Sequence, residues 1–262
     1  MENRCMENDM VSFISCVNNK AEYEICLNYI NKLNFGDVKY EIITVDDAKS
    51  LTEGYNRGMK KAKGKYKIYL HQDTYILNKN FVLECIKFFQ NKSIGMLGVI
   101  GTEKIPASCM WSSGKHIYGG VLDNSISGGN IFTSFPTEDF EGNLKEVMAV
   151  DGLILITQYD IPWREDLFDG WHFYDISQCI EFKRKGYKVC VPKQSVEIWV
   201  KHACGKVSLN NYEKYRRIFI EEYAGDIFWA GRLIPKLWNL NKKTRPYQQK
   251  IEKLVKMCKF SD

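Results

Sequence analysis

The chain has no apolar run approaching the roughly 20 residues that a membrane-spanning helix needs. Its first ten residues, Met1 to Met10, are polar and acidic, so no secretory leader is expected. The nine cysteines include no CxxC pair and follow no regular spacing, which argues against a zinc ribbon or a disulfide framework. Cys16, Cys26, Cys85 and Cys190 fall in apolar stretches, as reduced core thiols do, and a reducing, cytoplasmic setting is expected. Internal repeats and low-complexity linkers are absent, so one domain with an appendage is the economical division. After the first strand-like run, Ser15-Cys-Val-Asn-Asn19 lacks the glycine-rich, Lys- or Arg-bearing loop that nucleotidyl transfer would want. Histidine is scarce, with four in 262 residues, so each one bears scrutiny.

Charge is unevenly spread. From Ile227 to Asp262, nine Lys or Arg stand against Glu252 and Asp262, a surplus of seven in a chain whose net charge is +5. The body is therefore close to neutral, and double-stranded nucleic acid is disfavoured as a partner. In the tail, Tyr247, Ile251, Leu254, Val255 and Cys258 form an apolar stripe beside Lys250, Lys253, Lys256 and Lys259. Such a helix suits an anionic membrane surface, the face of its own domain, or a partner helix. A peripheral position at the inner face of the membrane follows from the first of these.

The remainder is ordinary for a globular domain at 45% hydrophobic and 26% charged residues, except that 13% are aromatic, with six Trp and fifteen Tyr. Rings beyond the needs of a core suit sugar or base sites. The first hundred residues alternate between two periods. Strands are expected at Val11–Val17, Tyr40–Val45, Tyr66–Leu70 and Ile94–Ile100. Helices are expected between them, at Tyr23–Leu33, Leu51–Lys63 and Phe81–Phe89. This rhythm implies a parallel sheet covered on both faces, with ligands at its carboxyl edge. Residues 102–145 break the rhythm and are rich in Gly, Ser, Asn and Thr, with short strand-like pieces at His116–Val121 and Asn130–Phe135. Beyond them, strands are expected at Val147–Thr157, Tyr187–Val191 and Val196–Lys201, and helices at Trp171–Lys185 and Leu209–Tyr223.

Three clusters carry candidate chemistry. His71-Gln72-Asp73 ends the third strand, where α/β proteins hold metal-bound phosphates, although an Asp there can equally cap a turn. Tyr159 to Asp175 packs five acids and several aromatic rings into 17 residues, a composition suited to a carbohydrate whose C–H faces stack on rings. Within it, Asp175 and Asp169 are candidate bases, and either could instead serve a helix N-terminus. Trp199-Val-Lys-His202-Ala-Cys204 places a histidine at a strand end, as a ligand or as a satisfied loop residue.

The order of strand, Asp46-Asp47, helix with Asn56-x-Gly58-x-x-x-Ala62-x-Gly64, strand and x-x-Asp73 resembles the nucleotide-binding half of inverting family 2 glycosyltransferases. Phe168-Asp-Gly-Trp-His-Phe-Tyr-Asp175 resembles the loop and acidic helix start of GT-A enzymes, including the beta-1,4-galactosyltransferases. With Tyr-Asp-Ile-Pro-Trp163, that block is similar to the streptomycin-biosynthesis-type subfamily. The resemblance covers residues 10–205 and implies a GT-A α/β fold, Rossmann-like. Its mostly parallel sheet would be flanked by helices, with a smaller acceptor-side β region and a C-terminal helical tail. It divides the chain into a domain at 1–226, with a nucleotide half at 10–101 and an acceptor half at 102–226, and a tail at 227–262.

The activity implied is inverting transfer from a nucleotide sugar, UDP-linked by preference, to a hydroxyl or carbohydrate acceptor with Mn2+ or Mg2+. The nucleotide falls to Asn18, Asp46, Asp47, Asn56, Gln72 and Asp73, and the metal to Asp73 and His202. Asp175 is the implied base, with Asp169 second. Asp151, Trp163, Trp171 and His172 fall to the sugar or acceptor. The sequence departs from the family pattern at His71, where a first Asp is usual. That departure fits a second class, a non-catalytic nucleotide- or carbohydrate-binding domain of a cell-surface polysaccharide assembly.

Overall fold

A computed structural model describes residues 9–106, 108–124, 132–134, 137–194, 197–204 and 208–227. Its frame is a seven-stranded sheet. The chain enters through β1 (Met10–Cys16), α1 (Lys20–Ile30), β2 (Lys39–Val45), α2 (Leu51–Lys61) and β3 (Tyr66–Leu70). It continues through β4 (Thr74–Ile76), α3 (Phe81–Phe88), β5 (Ile94–Gly98), β6 (Ile100–Thr102), β7 (Ile117–Gly119), β8 (Leu122–Asp123) and β9 (Thr133–Ser134). It then passes through β10 (Leu144–Glu146), β11 (Ala149–Val150), β12 (Ile154–Thr157), α4 (Tyr174–Arg184), β13 (Lys188–Pro192), β14 (Val200–His202) and α5 (Tyr212–Ile227).

The large sheet has the order β10-β13-β5-β12-β3-β1-β2, and two small sheets, β11-β6-β7 and β4-β14-β8-β9, lie beside it. Five of the seven large-sheet strands run one way; β12 and β10 are reversed. The two faces are built by simple alternation. Phe13, Ile68, Leu97, Ile154 and Ile156 face a core shared with α1 and α3. Ile14, Tyr69, Met96 and Leu155 face the opposite core, shared with α2, α4 and α5. β3 is buried along its whole length, so both faces of the central strands are covered.

The β-α rhythm of the first hundred residues is present, with boundaries within a few residues of the sequence reading. Two expected strands are each divided. Ile94–Ile100 breaks after Gly98, and Ile100–Thr102 joins a small sheet; a side chain at Gly98 would collide with Val150. Val147–Thr157 divides into β11 and β12 around Asp151-Gly152-Leu153, because β11 pairs with β6 while β12 inserts between β3 and β5. The helix expected from Trp171 begins at Tyr174, behind a left-handed Phe173. Part of the Asn130–Phe135 strand, and the basic tail from 228 onward, lie outside the described residues. None of the seven described cysteines is in a disulfide, and five of them are buried. Among the described residues, no helix is long and apolar enough to cross a membrane.

Candidate active site

The candidate site lies at the carboxyl edge of β1, β2 and β3, where β12 enters antiparallel from the turn Asp151-Gly152-Leu153. That turn joins the chemistry of two distant segments. Its Leu153 carbonyl accepts from the backbone N–H of His71 at 3.0 Å and from the Thr74 hydroxyl at 3.2 Å. Its Gly152 N–H donates to Asp175 Oδ2 at 3.2 Å, and Asp151 Oδ1 accepts from Leu153 N–H at 2.9 Å. The His71–Asp73 turn and the start of α4 are therefore held by two adjacent residues, Leu153 and Gly152.

Asp73 and His202 meet, as the resemblance implies, with His202 Nε2 3.4 Å from Asp73 Oδ1. The third member is His71, whose Nδ1 lies 3.4 Å from His202 Nε2. Donor atoms of His71, Asp73 and His202 all fall within 4.8 Å of one another. Oxygen or nitrogen ligands at about 2.1 Å around an octahedral ion stand about 3 Å apart when adjacent, so the spacing fits a small divalent cation. Asp73 Oδ1 is buried and has no hydrogen-bond partner among the described residues, an arrangement that costs stability unless something fills it. A buried carboxylate oxygen facing two imidazole nitrogens is a mixed donor set that suits Mn2+ better than Mg2+, which takes oxygen ligands.

Electrostatics agree with that geometry. Burial pushes the His71 pKa down to about 4, against the pull of Asp73, so its ring is neutral at pH 7. Burial opposes ionisation of Asp73, but the neighbouring His202 outweighs it and holds the carboxyl below its ordinary range. Burial likewise disfavours the charged His202 ring, yet Asp123 and Asp73 raise its pKa well above the usual imidazole value. His71 Nε2 is 2.6 Å from the Tyr174 hydroxyl. Tyr174 stands in turn among Tyr55, Tyr69 and Trp163, rings whose centroids are 4.8 to 6.3 Å apart. Gly152 is required here because any side chain at that position would overlap the Tyr174 ring and hydroxyl.

Asp175 occupies the first turn of α4, entered through Phe173 at φ +66°, which a bulky residue adopts at a cost of about 1–2 kcal/mol. Packing of Phe173 on Phe168, Tyr212 and Phe219 holds that conformation. Burial, then the charge of Asp151, pushes the Asp175 pKa up to about 7. Its helical backbone N–H groups and that of Gly152 oppose the rise without reversing it. Asp151 is itself raised, by burial first. Both retain partial solvent access, so Asp175 is a reachable carboxyl that titrates near neutrality.

The remaining candidates divide. Gln72 Oε1 accepts from the N–H groups of Asn18 and Asn19, both at 2.9 Å, and its Nε2 donates to Asn18 Oδ1 at 2.7 Å. Its amide is thus committed to shaping the loop after β1. Asp46 and Asp47 are exposed at the end of β2, with Asp47 paired to Arg57 at 2.6 Å. The Asn56 amide is already engaged. It is buried and trades two 2.9 Å hydrogen bonds with the Trp163 backbone. Trp163 is 2% exposed within the aromatic cluster, which leaves no face for an acceptor. Asp169 accepts from Tyr215 at 2.7 Å and Lys214 at 3.0 Å, and these partners hold its pKa below the carboxylate range, the wrong direction for a base. It fastens the loop before α4 to α5. Trp171 is half exposed beside α4, and His172 packs edge-on against Tyr212.

Sequence reasoning missed two residues. His71 stood where an Asp was sought, and Asp123 lay in a Gly- and Ser-rich stretch without periodicity. Asp123 Oδ2 is 2.8 Å from His202 Nδ1, a contact made by the register of the β4-β14-β8 sheet.

Comparison with known proteins agrees with this fold. Residues 12–223 match the family described as "Glycosyltransferase like family". No curated protein matches. Among solved structures, TarS of S. aureus is 13% identical, with 82% of this chain and 40% of that chain covered and a TM-score of 0.51. TarS 1–349 in complex with UDP-GlcNAc is 11% identical, with 81% of this chain and 66% of that one covered and a TM-score of 0.51. The same TarS fragment in complex with UDP is 13% identical, with 80% and 64% covered and a TM-score of 0.48. The chain thus spans less than two thirds of the TarS fragment in its UDP complex, and about two fifths of the longer TarS chain. At these identities the likeness shows the GT-A fold alone.

Proposed function

The chain belongs to the glycosyltransferase-like family, and from that premise we propose that it transfers a sugar from a nucleotide-sugar donor to a hydroxyl acceptor with inversion. The observation that carries this reading is the pairing, across one turn, of an orphaned Asp73 carboxylate facing two histidines with a second carboxyl, Asp175, that titrates near pH 7. When bound at Asp73, His71 and His202, a divalent cation supplies positive charge against the departing diphosphate.

Asp175 takes the proton of the acceptor hydroxyl as its oxygen bonds to the anomeric carbon and the nucleoside diphosphate leaves from the opposite face. A carboxyl with a pKa near the working pH is well matched to that proton, which accounts for its placement in a partly desolvated niche. Asp151, half-buried, keeps Asp175 basic by repulsion and fixes the turn that holds it. Asp46, exposed at the end of β2 with no ion pair among the described residues, is assigned to the base or ribose; Asp47 answers Arg57. Asn18, held by Gln72, lines the same edge. Trp171 offers a half-exposed ring to the acceptor's C–H face, with His172 beside it. A UDP-linked donor is favoured by the UDP-GlcNAc complex of TarS, which shares the fold. The 159–175 block keeps the finer likeness to the streptomycin-biosynthesis-type subfamily within this reading.

The test is a thermal-shift screen of nucleotide sugars with Mn2+, followed by an assay of nucleoside diphosphate release from any that stabilise the protein. Release that disappears in Asp175→Asn supports the reading. Stabilisation by a nucleotide sugar without release, with any hydroxyl acceptor, would instead mark a carbohydrate- or nucleotide-binding domain.

A further inference from the structure

We propose that Asp123 is a positioning residue for the cation site, holding the proton on Nδ1 of His202 so that Nε2 is the nitrogen offered toward Asp73 and His71. The inference rests on the cation reading above. It begins with register. In the small sheet, His202 on β14 pairs with Thr74 on β4 to one side and with Asp123 on β8 to the other. Adjacent strands lie about 4.8 Å apart, so three residues distant in sequence stand in one row across the sheet. The Asp73 carbonyl accepts from the Ala203 N–H at 2.9 Å, which ties the turn carrying Asp73 to the end of β14. The row therefore reads Asp73 and Thr74, then His202, then Asp123.

The two ring nitrogens meet different partners. Nδ1 faces Asp123 Oδ2 at 2.8 Å, a full hydrogen bond. Nε2 lies at 3.4 Å from both His71 Nδ1 and Asp73 Oδ1, and Asp73 Oδ1 has no hydrogen-bond partner among the described residues. An ionised carboxylate only accepts, so the nitrogen facing it must carry hydrogen. The nitrogen that gives up its proton to a cation is then Nε2, the one aimed at the other two donors. Both members of the pair are shielded, with 6% of the Asp123 side chain and 10% of the His202 side chain exposed, so water competes little for the bond. The Cys204 thiol lies 3.8 Å from the same Asp123 oxygen, a long, weak contact beside the 2.8 Å bond to His202. A carboxylate behind a ligating imidazole orients the ring, fixes its tautomer and raises its basicity. Asp123 stands where that partner is needed, and the transfer chemistry gives it no other task.

The test measures Mn2+ binding by loss of the free-ion electron paramagnetic resonance signal, with saturating UDP. It compares wild type with Asp123→Asn, Asp123→Ala and Cys204→Ser. Removing such a partner weakens metal binding by about 10- to 100-fold, which is the loss expected of Asp123→Ala. Asp123→Asn should lose less, because its amide oxygen still accepts from Nδ1–H; it also decides the matter if the Ala variant does not fold. Cys204→Ser should bind as wild type. In a 15N-labelled sample loaded with diamagnetic Zn2+ and UDP, His202 should show a protonated Nδ1 and an Nε2 without hydrogen in wild type. Asp123→Ala should mix the two tautomers. Wild-type Mn2+ binding that both Asp123 variants leave unchanged would overturn the role of Asp123 alone. Equal losses in Cys204→Ser and Asp123→Ala would overturn it too, since both would then be ligands themselves. Failure of the wild type to bind Mn2+ would overturn the cation reading from which the proposal starts.

Discussion

Replacing Asp175 by Asn removes a charge at nearly constant shape, and the amide oxygen can still accept the Gly152 N–H that the carboxylate accepts at 3.2 Å. Two consequences of opposite sign are expected. As a general base, Asp175 should be worth about 10²- to 10⁴-fold in transfer rate. For stability, the direction reverses. The folded protein holds the Asp175 proton from an ordinary 3.8 up to about 7, so the native state binds it more tightly than the unfolded chain. Ionising the group then costs folding up to about 4 kcal/mol, less to the extent that solvent reaches it. That cost is absent below pH 4, grows between pH 4 and 7 as the unfolded chain ionises and the native protein does not, and is constant above. Asp175→Asn should accordingly melt with wild type at pH 4 and above it at pH 8, in buffer containing a chelator, while losing nearly all transfer. Calorimetric scans across that range, with product release assayed in parallel, measure both. A melting difference that does not change with pH would refute the buried, perturbed carboxyl, and undiminished transfer would refute the base.

Gly152→Ala should force Tyr174 away from His71; overpacking of this kind costs about 1–3 kcal/mol, so a drop of several degrees in melting temperature is expected together with weakened Mn2+ binding. Asn56→Ala breaks two buried hydrogen bonds to the Trp163 backbone and leaves the Trp163 N–H unpaired, while its carbonyl keeps the Glu165 N–H at 2.8 Å; a loss of roughly 1–3 kcal/mol in urea unfolding is expected, with nucleotide affinity per folded molecule unchanged. Trp171→Ala should leave melting within about a degree of wild type, because the ring is half exposed, yet raise the acceptor KM; an unchanged KM would remove Trp171 from the acceptor site. Gln72→Ala frees the loop after β1 from three hydrogen bonds, and calorimetry should show weaker UDP binding with little loss of stability.

The first hundred residues were legible because they bury both faces of a sheet and two sets of helices by regular alternation, so period and composition agree. Asp73, Asp175 and His202 were singled out for a different reason, as residues at fixed places in a pattern similar to a family. Legibility failed where structure depends on partners distant in sequence. Val147–Thr157 reads as one apolar run, but it serves two sheets, and only the pairing of β11 with β6 breaks it at Asp151. Asn56 looked like part of a nucleotide motif, whereas its amide closes on the backbone of Trp163, 107 residues away. Trp163 was read as a sugar platform for its aromaticity, and burial among Tyr55, Tyr69 and Tyr174 made it core. Asp123 was invisible because β8 is two residues long and carries no period; only its register with β14 brings the carboxylate to His202.

The central claim, that Asp73 with His71 and His202 forms a cation site serving a nucleoside diphosphate, is tested most directly by titrating UDP into the protein in a calorimeter, with and without Mn2+. Binding should tighten at least tenfold with Mn2+ in the wild type, and Asp73→Ala should abolish that gain while keeping its fold. UDP affinity that ignores Mn2+ in the wild type, or a Mn2+ gain that survives in Asp73→Ala, would contradict it.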